Sequence, residues 1–447
     1  MSRAGVTERG VGVGLIGLGT IGTGVAKVLR QNAAVIEQRL GFPLRLVRVA
    51  DLDASRAQKV DLGGARFDAD AEGLIADPAV AVVVELIGGY EAARRLILRS
   101  IDAGKHVVTA NKALLALHGA EIFGAAARRG VDVAFEASVA GGIPILRSIR
   151  EGLVANRIQS VHGIVNGTTN YVLTQMEQTG APLDVVVKRA QELGYAEADP
   201  SFDLDGIDAA HKLTLLVAMA FGAELTFKEI PTEGIRGIDP VDFEAAEEFG
   251  YRIKLLGIAK SRSDEGRERI EARVQPTLIP RTSLLASVDG AMNAVAVTGD
   301  AVGPTLFYGA GAGELPTASA VVADLVEIAR EIKRGAAGRV APLSYLPEAL
   351  RAVPLVPLGE LFGRAYLRFT AQDRPGVLGH LAGALGEHGI GIESVIQKGR
   401  GGSGDSVPVL VLTHPAREAA LRAALERIDA LPDVTAPTRL IRIEERL

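Results

Sequence analysis

The sequence predicts an α/β chain in three parts, and three observations carry that prediction. A glycine turn, Gly17-Leu18-Gly19-Thr20-Ile21-Gly22, stands between an apolar strand and an amphipathic helix, and further β-α repeats follow it. A middle region, 151–313, joins helices to strands of alternating polarity in an α+β pattern. The final stretch, 361–447, reads β-α-β-β-α-β, the order of a ferredoxin-like unit. The first part takes in 1–150 with a returning helix over 314–334, and 335–360 is a linker. A chain of 447 residues is long enough for two or three domains.

Val11 to Ile16 is a short apolar strand that runs into the glycine turn, and one amphipathic helix is expected to continue to about Arg39. In that context the glycines permit a tight turn, approach of the backbone to a pyrophosphate and close helix packing, so this part reads as a Rossmann domain for NAD or NADP. The helix amino terminus adds free N–H groups and a positive dipole end. The next strand, Leu44 to Ala50, ends in Asp51, where an acidic group can bond the adenine ribose; Arg56 and Lys59 follow and can hold a 2'-phosphate instead. Val80 to Ile87 is a buried strand, Glu91 to Ala103 a helix, and His106 to Thr109 a strand ending at Ala110-Asn111-Lys112. Ligands gather at the carboxyl ends of strands in an open parallel sheet, which singles out Thr109, Asn111 and Lys112, unless Lys112 is only an exposed residue in the next helix's first turn. Val131 to Ala137 is the last strand here. Ser138 to Pro144 leaves it as a glycine-rich bend, either a plain turn or a set of carbonyls facing a hard cation.

In the middle region Arg157 to Ile164 is a strand, and Asn166-Gly167-Thr168-Thr169-Asn170 opens a helix with two candidate hydroxyl caps. Gln191 to Gly194 ends another helix. Glu197, Asp199, Asp203, Asp205 and Asp208 then surround a single Lys212 and lead into the apolar helix Leu213 to Phe221. Charges this dense beside a buried helix are costly unless they face a cleft, although a solvated helix start with Asp205 as N-cap uses the same residues. Asp208 and Lys212 are four residues apart, so on a helix they share one face. A lysine so placed can hand a proton to a substrate oxygen, and the carboxylate beside it favours its charged form. Strands near Arg269 to Leu278 and Ala291 to Thr298 alternate enough for a second sheet with one covered face. Tyr308 to Gly313 is a glycine-rich turn into the helix Pro316 to Lys333, serving as a hinge or returning to the cofactor through Gly313.

Composition excludes several classes. The chain has no cysteine, so disulfides, thiolate nucleophiles and cysteine-ligated zinc are ruled out, and a reducing cytoplasm is the expected compartment. A net charge of -5 with dispersed lysines and arginines argues against a nucleic-acid surface and for a small charged metabolite as partner. No apolar run approaches the roughly 20 residues of a membrane span. The amino terminus carries both charge signs, unlike a secretory signal.

Pro342, Pro347, Pro354 and Pro357 keep a long helix out of the linker. Beyond it, Ala365 to Thr370 is a strand and Asp373-Arg374-Pro375-Gly376-Val377-Leu378 turns into a helix to about His388. Ile390 to Lys398 is a strand, Gly399 to Gly404 a turn, Val407 to Thr413 a strand, Ala416 to Leu431 a helix and Thr438 to Ile443 the closing strand. A unit behind such a linker is expected to be removable, leaving the remainder active.

Through G-L-G-T-I-G, T-A-N-K, E-A-S-V-A-G-G-I-P, N-G-T-T-N-Y, G-Y-A-E-A-D-P and D-L-D-G-I-D-A-A-H-K, in that order between Val11 and Lys333, the chain resembles the homoserine dehydrogenases. The resemblance implies interconversion of L-homoserine and L-aspartate 4-semialdehyde with NAD or NADP, in threonine, methionine and isoleucine biosynthesis. It makes the middle region the substrate-binding and dimerisation domain, Lys212 the catalytic lysine and Asp208 the carboxylate beside it. Glu197 and Asp203 would hold the substrate, Glu197 near its ammonium group, with Lys112 between cofactor and substrate. Glu136, Val139, Gly141 and Ile143 match positions that bind a monovalent cation such as sodium in some members. The turn Asp373 to Leu378 resembles that of ACT domains, which places Asp373, Gly376 and Val377 at an effector site. L-threonine, the pathway's end product, is the expected effector, and a degenerate unit that only dimerises is the alternative. A homo-oligomer, dimer or tetramer, is expected. A non-catalytic sensor binding a dinucleotide and an amino acid is the competing reading, and the Asp208/Lys212 pair with the matched carboxylates argues against it. A fused aspartate kinase is not expected before Val11.

Overall fold

A computed structural model describes residues 6–7, 10–264, 266–397 and 406–447. The chain divides into two compact units, Met1–Val161 with Ala210–Glu229 and Asn293–Val353, and His162–Ala209 with Ile230–Met292 and Pro354–Leu447.

The first unit is built on a sheet with the strand order Arg66–Asp68, Leu44–Ala50, Gly10–Ile16, Val82–Glu85, His106–Thr109, Val133–Ala134. Every neighbouring pair in that run is parallel. Its central strands read as continuous apolar runs because helices cover both faces. Chain order reverses between Gly10–Ile16 and Val82–Glu85, and a crevice opens at the carboxyl ends of strands at such a reversal.

Where the sequence predicts one helix to Arg39, two occur, Thr20–Gln31 and Ala33–Leu40. Asn32 breaks them at φ -102 and ψ 13, in keeping with the weak helix propensity of asparagine. The expected strand Val131 to Ala137 shortens to Val133–Ala134, because a tight turn over Glu136–Ser138 follows at once. The helix Glu314–Arg334 is part of this core: Ala318, Val321, Leu325, Ile328 and Ile332 pack with Val13, Val25, Leu29 and Val84. Gly24 allows that approach, since a Cβ there would overlap the Glu314 carbonyl oxygen.

The second unit contains a run of strands in the order Tyr251–Asp264, Arg267–Pro280, Val434–Ile443, Ala365–Gln372, Ser406–Thr413, Ile392–Gln397. Ala365–Gln372, helix Val377–Glu387, Ile392–Gln397, Ser406–Thr413, helix Glu418–Asp429 and Val434–Ile443 follow the expected β-α-β-β-α-β order. Leu367, Phe369, Leu381, Leu385, Val411 and Ile428 form its core. The expected turn over 399–404 lies outside the described residues. Among the described residues no helix is long and apolar enough to cross a membrane.

The closing strand Val434–Ile443 is not an edge. It runs antiparallel to Ala365–Gln372 on one side and parallel to Arg267–Pro280 on the other, through Thr277 with Arg442 and Leu278 with Ile443. The carboxyl-terminal part and the long strands before it therefore share one sheet, which a proline-rich linker alone does not reveal. Deleting the chain from Leu361 exposes the ladder at Thr277 and Leu278, and bare strand edges favour association. The truncated protein is expected to melt well below the full chain, at about 2 to 4 °C for each kcal/mol lost. An unchanged Tm in a thermal melt would show that the part is separable after all.

Candidate active site

The glycine turn follows its strand at the order reversal. Gly17 has φ 98, and a Cβ there would run into the backbone of Leu86 and Ile87. A Cβ at Gly22 would overlap the Gly17 carbonyl oxygen, so this glycine lets the helix start directly against the strand. Gly19 is the N-cap of Thr20–Gln31 with no side-chain cap, and beyond it Thr20 is exposed and Ile21 half-buried. The first amides of that helix are thereby left for a ligand. A Cβ at Gly19 would meet only the Arg56 guanidinium, at 3.8 Å.

Asp51 stands at the end of Leu44–Ala50, its side chain only 7% exposed. Its Oδ2 accepts the Leu18 amide at 2.6 Å and its Oδ1 the Asp53 amide at 2.8 Å. Arg56 Nη1 donates to Asp51 Oδ2 at 3.2 Å. The aspartate thus shapes the glycine turn from below, a role the sequence does not show, while Arg56 carries positive charge to the turn's rim.

At the end of His106–Thr109, the Thr109 hydroxyl donates to Glu85 Oε2 at 2.7 Å. Burial raises the Glu85 carboxyl above its usual range against the pull of that bond and of the Ile87 and Gly88 amides. Asn111 caps the helix Lys112–Arg129, its Oδ1 accepting the Leu114 amide at 3.1 Å, and its Nδ2 donates to the Gly89 carbonyl at 2.7 Å. Lys112 is the first residue of that helix and is half-buried. Gly313, at φ 124, begins Glu314–Arg334, and Glu314 pairs with Lys27 of the first helix at 2.6 Å.

The bend at 138–144 contains two successive left-handed residues, Ala140 at φ 54 and Gly141 at φ 55. Among the described residues the main-chain oxygens of Val139 and Gly141, both in buried residues, accept no hydrogen bond, whereas that of Ile143 takes the Ile145 amide at 2.8 Å. The Glu136 carboxylate accepts the Leu146 and Arg147 amides at 2.9 and 2.8 Å. Burial and the nearby Asp324 push this carboxyl up to about 7. Among the described residues no group of three or more His, Cys, Asp or Glu side chains is placed to hold a metal.

The acidic segment folds as a short helix Ser201–Leu204, a bend at Asp205 and Gly206, and the helix Ile207–Phe221. Asp208 and Lys212 lie one turn apart on the latter and both are buried, 4% and 9% exposed. Asn166 organises the acids. Its Nδ2 donates to Asp203 Oδ1 at 2.7 Å and to Asp208 Oδ2 at 2.8 Å. Its Oδ1 meanwhile accepts the Thr169 amide and caps Gly167–Thr179, so the cap is the asparagine and not either expected hydroxyl. Glu197 is exposed, and its loop is held through the backbone: Gln191 Nε2 donates to the carbonyls of Glu197 and Ala198 at 3.0 and 3.1 Å. Asn166 and Gln191 are the residues that sequence reasoning missed as site members. The available signal for Asn166 was an asparagine, a favoured N-cap type, directly before the helix, passed over for the hydroxyls.

At the carboxyl-terminal turn Gly376 is the N-cap of Val377–Glu387 at φ 95, Val377 is buried, and nothing lies within 4 Å of where a Gly376 Cβ would stand. Asp373 accepts a long bond, 3.4 Å, from Gln397. Asp433, unforeseen in the sequence, ties this turn down through Arg374 and through His380 Nδ1 at 2.7 Å.

A glycine turn at the order reversal of a Rossmann-like sheet, a helix carrying a buried lysine and carboxylate, and a further ferredoxin-like unit are the features of a nicotinamide-dependent oxidoreductase with an additional small domain. Comparison with known proteins makes the class specific. Residues 144–326 match the homoserine dehydrogenase family, 17–136 its NAD-binding domain and 365–432 the ACT domain. The chain is 49% identical over 436 residues to a homoserine dehydrogenase of Pseudomonas aeruginosa, covering 97% of this chain and 99% of that one. It is 48% identical over 434 residues to that of Neisseria gonorrhoeae, with 97% and 98% covered. The crystal structure of a homoserine dehydrogenase from Thiobacillus denitrificans matches with a TM-score of 0.91 and 50% identity, over 97% of this chain and 98% of that one. The chain belongs to the homoserine dehydrogenase family and is an NAD(P)-dependent oxidoreductase with a carboxyl-terminal ACT domain.

Replacing Asn166 by alanine removes both the cap and the donor that Asp203 and Asp208 share. The cap alone is worth about 1 kcal/mol, which a thermal melt reads. Loss of the bridge between Asp203 and Asp208 is expected to lower kcat/KM for homoserine by roughly 10²-fold if these acids serve the reaction, the scale of a misplacement near reacting groups. A loss confined to stability would show that Asn166 is a cap and nothing more.

Proposed function

We propose that the chain reduces L-aspartate 4-semialdehyde to L-homoserine and runs the reverse oxidation, with Lys212 as the proton donor and acceptor and Asp208 as its partner. The observation that carries this reading is the buried turn holding Asp208 and Lys212, with Asn166 joining Asp208 to Asp203. A bound nicotinamide supplies or accepts the hydride. Lys212 gives a proton to the oxygen that gains negative charge on reduction and takes it back on oxidation. Asp203 and Glu197 bind the substrate, Glu197 at its ammonium group, and Lys112 lies between cofactor and substrate. The division of labour follows the sequence: 1–150 with 314–334 for the cofactor, 151–313 for the substrate, 335–360 as linker and 361–447 as the regulatory part. Lys212→Ala is expected to lower turnover by roughly 10²-fold or more while dinucleotide binding, read by fluorescence titration, is kept. Turnover within a few-fold of wild type would remove Lys212 from the chemistry.

Gly17, Leu18, Gly19, Thr20, Ile21 and Gly22 would hold the pyrophosphate, with Thr109, Asn111 and Gly313 as further cofactor contacts. Asp51 favours NAD at the ribose, but its two oxygens already take the Leu18 and Asp53 amides and Arg56 lies across it, which supports use of both cofactors with a modest bias to NAD. Arg56→Met is expected to lower kcat/KM for NADP about ten-fold more than for NAD, the scale of one charge-assisted bond. Equal losses would place the 2'-phosphate elsewhere. A monovalent cation such as sodium fits the free carbonyls of Val139 and Gly141, with Ile143 and a remaining lone pair of the Glu136 carboxylate completing the set. Activity unaffected by replacing sodium with a bulky organic cation would rule it out.

The ACT domain is proposed to bind L-threonine at Asp373, Gly376 and Val377, supported by the open helix start that Gly376 leaves. Absence of both heat on calorimetric titration and inhibition at millimolar threonine would leave it as an assembly module. A homo-oligomer, dimer or tetramer, is supported by the strand Gly303–Ala310, which exposes Leu306 and Tyr308, the latter by 58%; light scattering at the monomer mass would overturn it. A chain without cysteine suits the cytoplasm, as fractionation of the producing cells tests.

A further inference from the structure

The segment carrying Asp203 is held from behind by a loop that the ACT domain grips. The loop is pinned to the long strand Arg267–Pro280, since Glu233 N–H donates to the Val274 carbonyl at 2.8 Å and Val274 N–H to that of Pro231 at 2.9 Å. Its next residues lie directly on the acidic segment. Ile235 N–H donates to the Leu204 carbonyl at 2.8 Å, and a Cβ at Gly234 would overlap that carbonyl and Asp205. Arg236 donates to Asp205 at 2.5 Å and to the Ser201 hydroxyl at 3.0 Å, spanning the helix Ser201–Leu204 on which Asp203 sits.

The far side of the loop belongs to the ACT domain. Arg442, on its closing strand, donates to both Glu233 oxygens, at 2.8 and 2.9 Å, and to both Glu418 oxygens, at 2.9 and 2.5 Å. Arg422 adds a bond to Glu233 at 3.1 Å and one to Glu418 at 2.9 Å. Arg368 reaches the Gly237 carbonyl at 3.0 Å. Burial works against a charge on Glu233, yet bonds and charges from Arg442, with Arg422 and Arg439 behind it, hold its carboxyl below the ordinary range. Bidentate pairs of this kind fix geometry as well as supplying energy.

We propose that residues 231–237 are the positioning element for Asp203, and that their grip by Arg442 and Arg422 ties affinity for the amino-acid substrate to the state of the ACT domain. The inference rests on the reading of Asp203 as a substrate ligand. A loop clamped between a two-armed charge cluster and the backbone of Leu204 and Asp205 has no independent position: a shift of the ACT strand at Arg442 displaces Glu233, and Gly234 and Ile235 carry the displacement to the acidic segment. A movement of this kind alters binding of the amino acid and leaves the cofactor untouched.

Steady-state kinetics of the full-length protein test it. Glu233→Gln and Arg236→Met are each expected to raise KM for homoserine roughly five-fold or more, at the low end of site-to-site couplings, with kcat and the cofactor KM within about two-fold of wild type. Arg236→Lys is expected to restore most of the loss. Arg422→Met, at a half-exposed position that tolerates change, raises KM in the same direction and covers the case in which Glu233→Gln does not fold. Unchanged homoserine KM in folded Arg422→Met and Arg236→Met proteins overturns the proposal, as does an equal fall of kcat for all variants. Asp203→Asn separates the two layers. If it leaves KM unchanged, the substrate role of Asp203 fails; if it raises KM while the loop variants do not, only the positioning role fails.

Discussion

A carboxylate taken out of water must be given donors, and much of the second unit follows from how this is done for Asp208. The residue sits at the start of an apolar helix with almost no solvent exposure. Asn166 supplies one such bond, shares the same amide with Asp203, and uses its oxygen to cap the helix that follows it. One side chain thereby sets two acids and the helix Gly167–Thr179. That helix carries Asn170, whose amide lies within hydrogen-bond distance of the Val288, Gly290 and Met292 carbonyls and so holds the chain around 288–292 to the same frame. Loss of the bridge at Asn166 therefore reaches well beyond one hydrogen bond.

In the first unit the governing constraint is steric. Gly17, Gly22 and Gly24 sit where a single extra carbon would overlap backbone, so the first helix is pressed onto its own strand and against Glu314. The same closeness leaves the helix amides facing outward, which is what an anionic ligand requires. Asp51 adds an unforeseen part: by accepting the Leu18 amide it braces the turn, so its carboxylate serves the fold before it meets any ribose. This bracing makes Asp51 a poor choice for changing cofactor preference, and Arg56, more exposed, is the better one.

The ACT domain's place in the second unit's sheet gives a physical basis for linking it to the acidic segment. A tethered domain can move without consequence. One whose last strand is paired on both sides, and whose Arg442 is shared between Glu418 and Glu233, cannot. Buried charge clusters add little stability relative to apolar packing, but they do define one arrangement sharply.

Features set by short spacings were legible in the sequence. The glycine turn, the strand–helix alternation around it, the Asp208 and Lys212 pair on one helical face and the β-α-β-β-α-β order of the ACT domain all depend on periods of two or about four residues, and the backbone expresses those periods locally. The break at Asn32 escaped because hydrophobic periodicity continues across it. What tertiary structure alone decided involves partners distant in sequence. Asn166 meets Asp203 across 37 residues and Glu233 meets Arg442 across 209, and nothing in the local pattern of either residue names the other. Strand pairing is of the same kind: Val434–Ile443 reads identically as an edge or as an inner strand, and its place beside Arg267–Pro280 follows only once the chain has folded and each buried donor and acceptor has found its match.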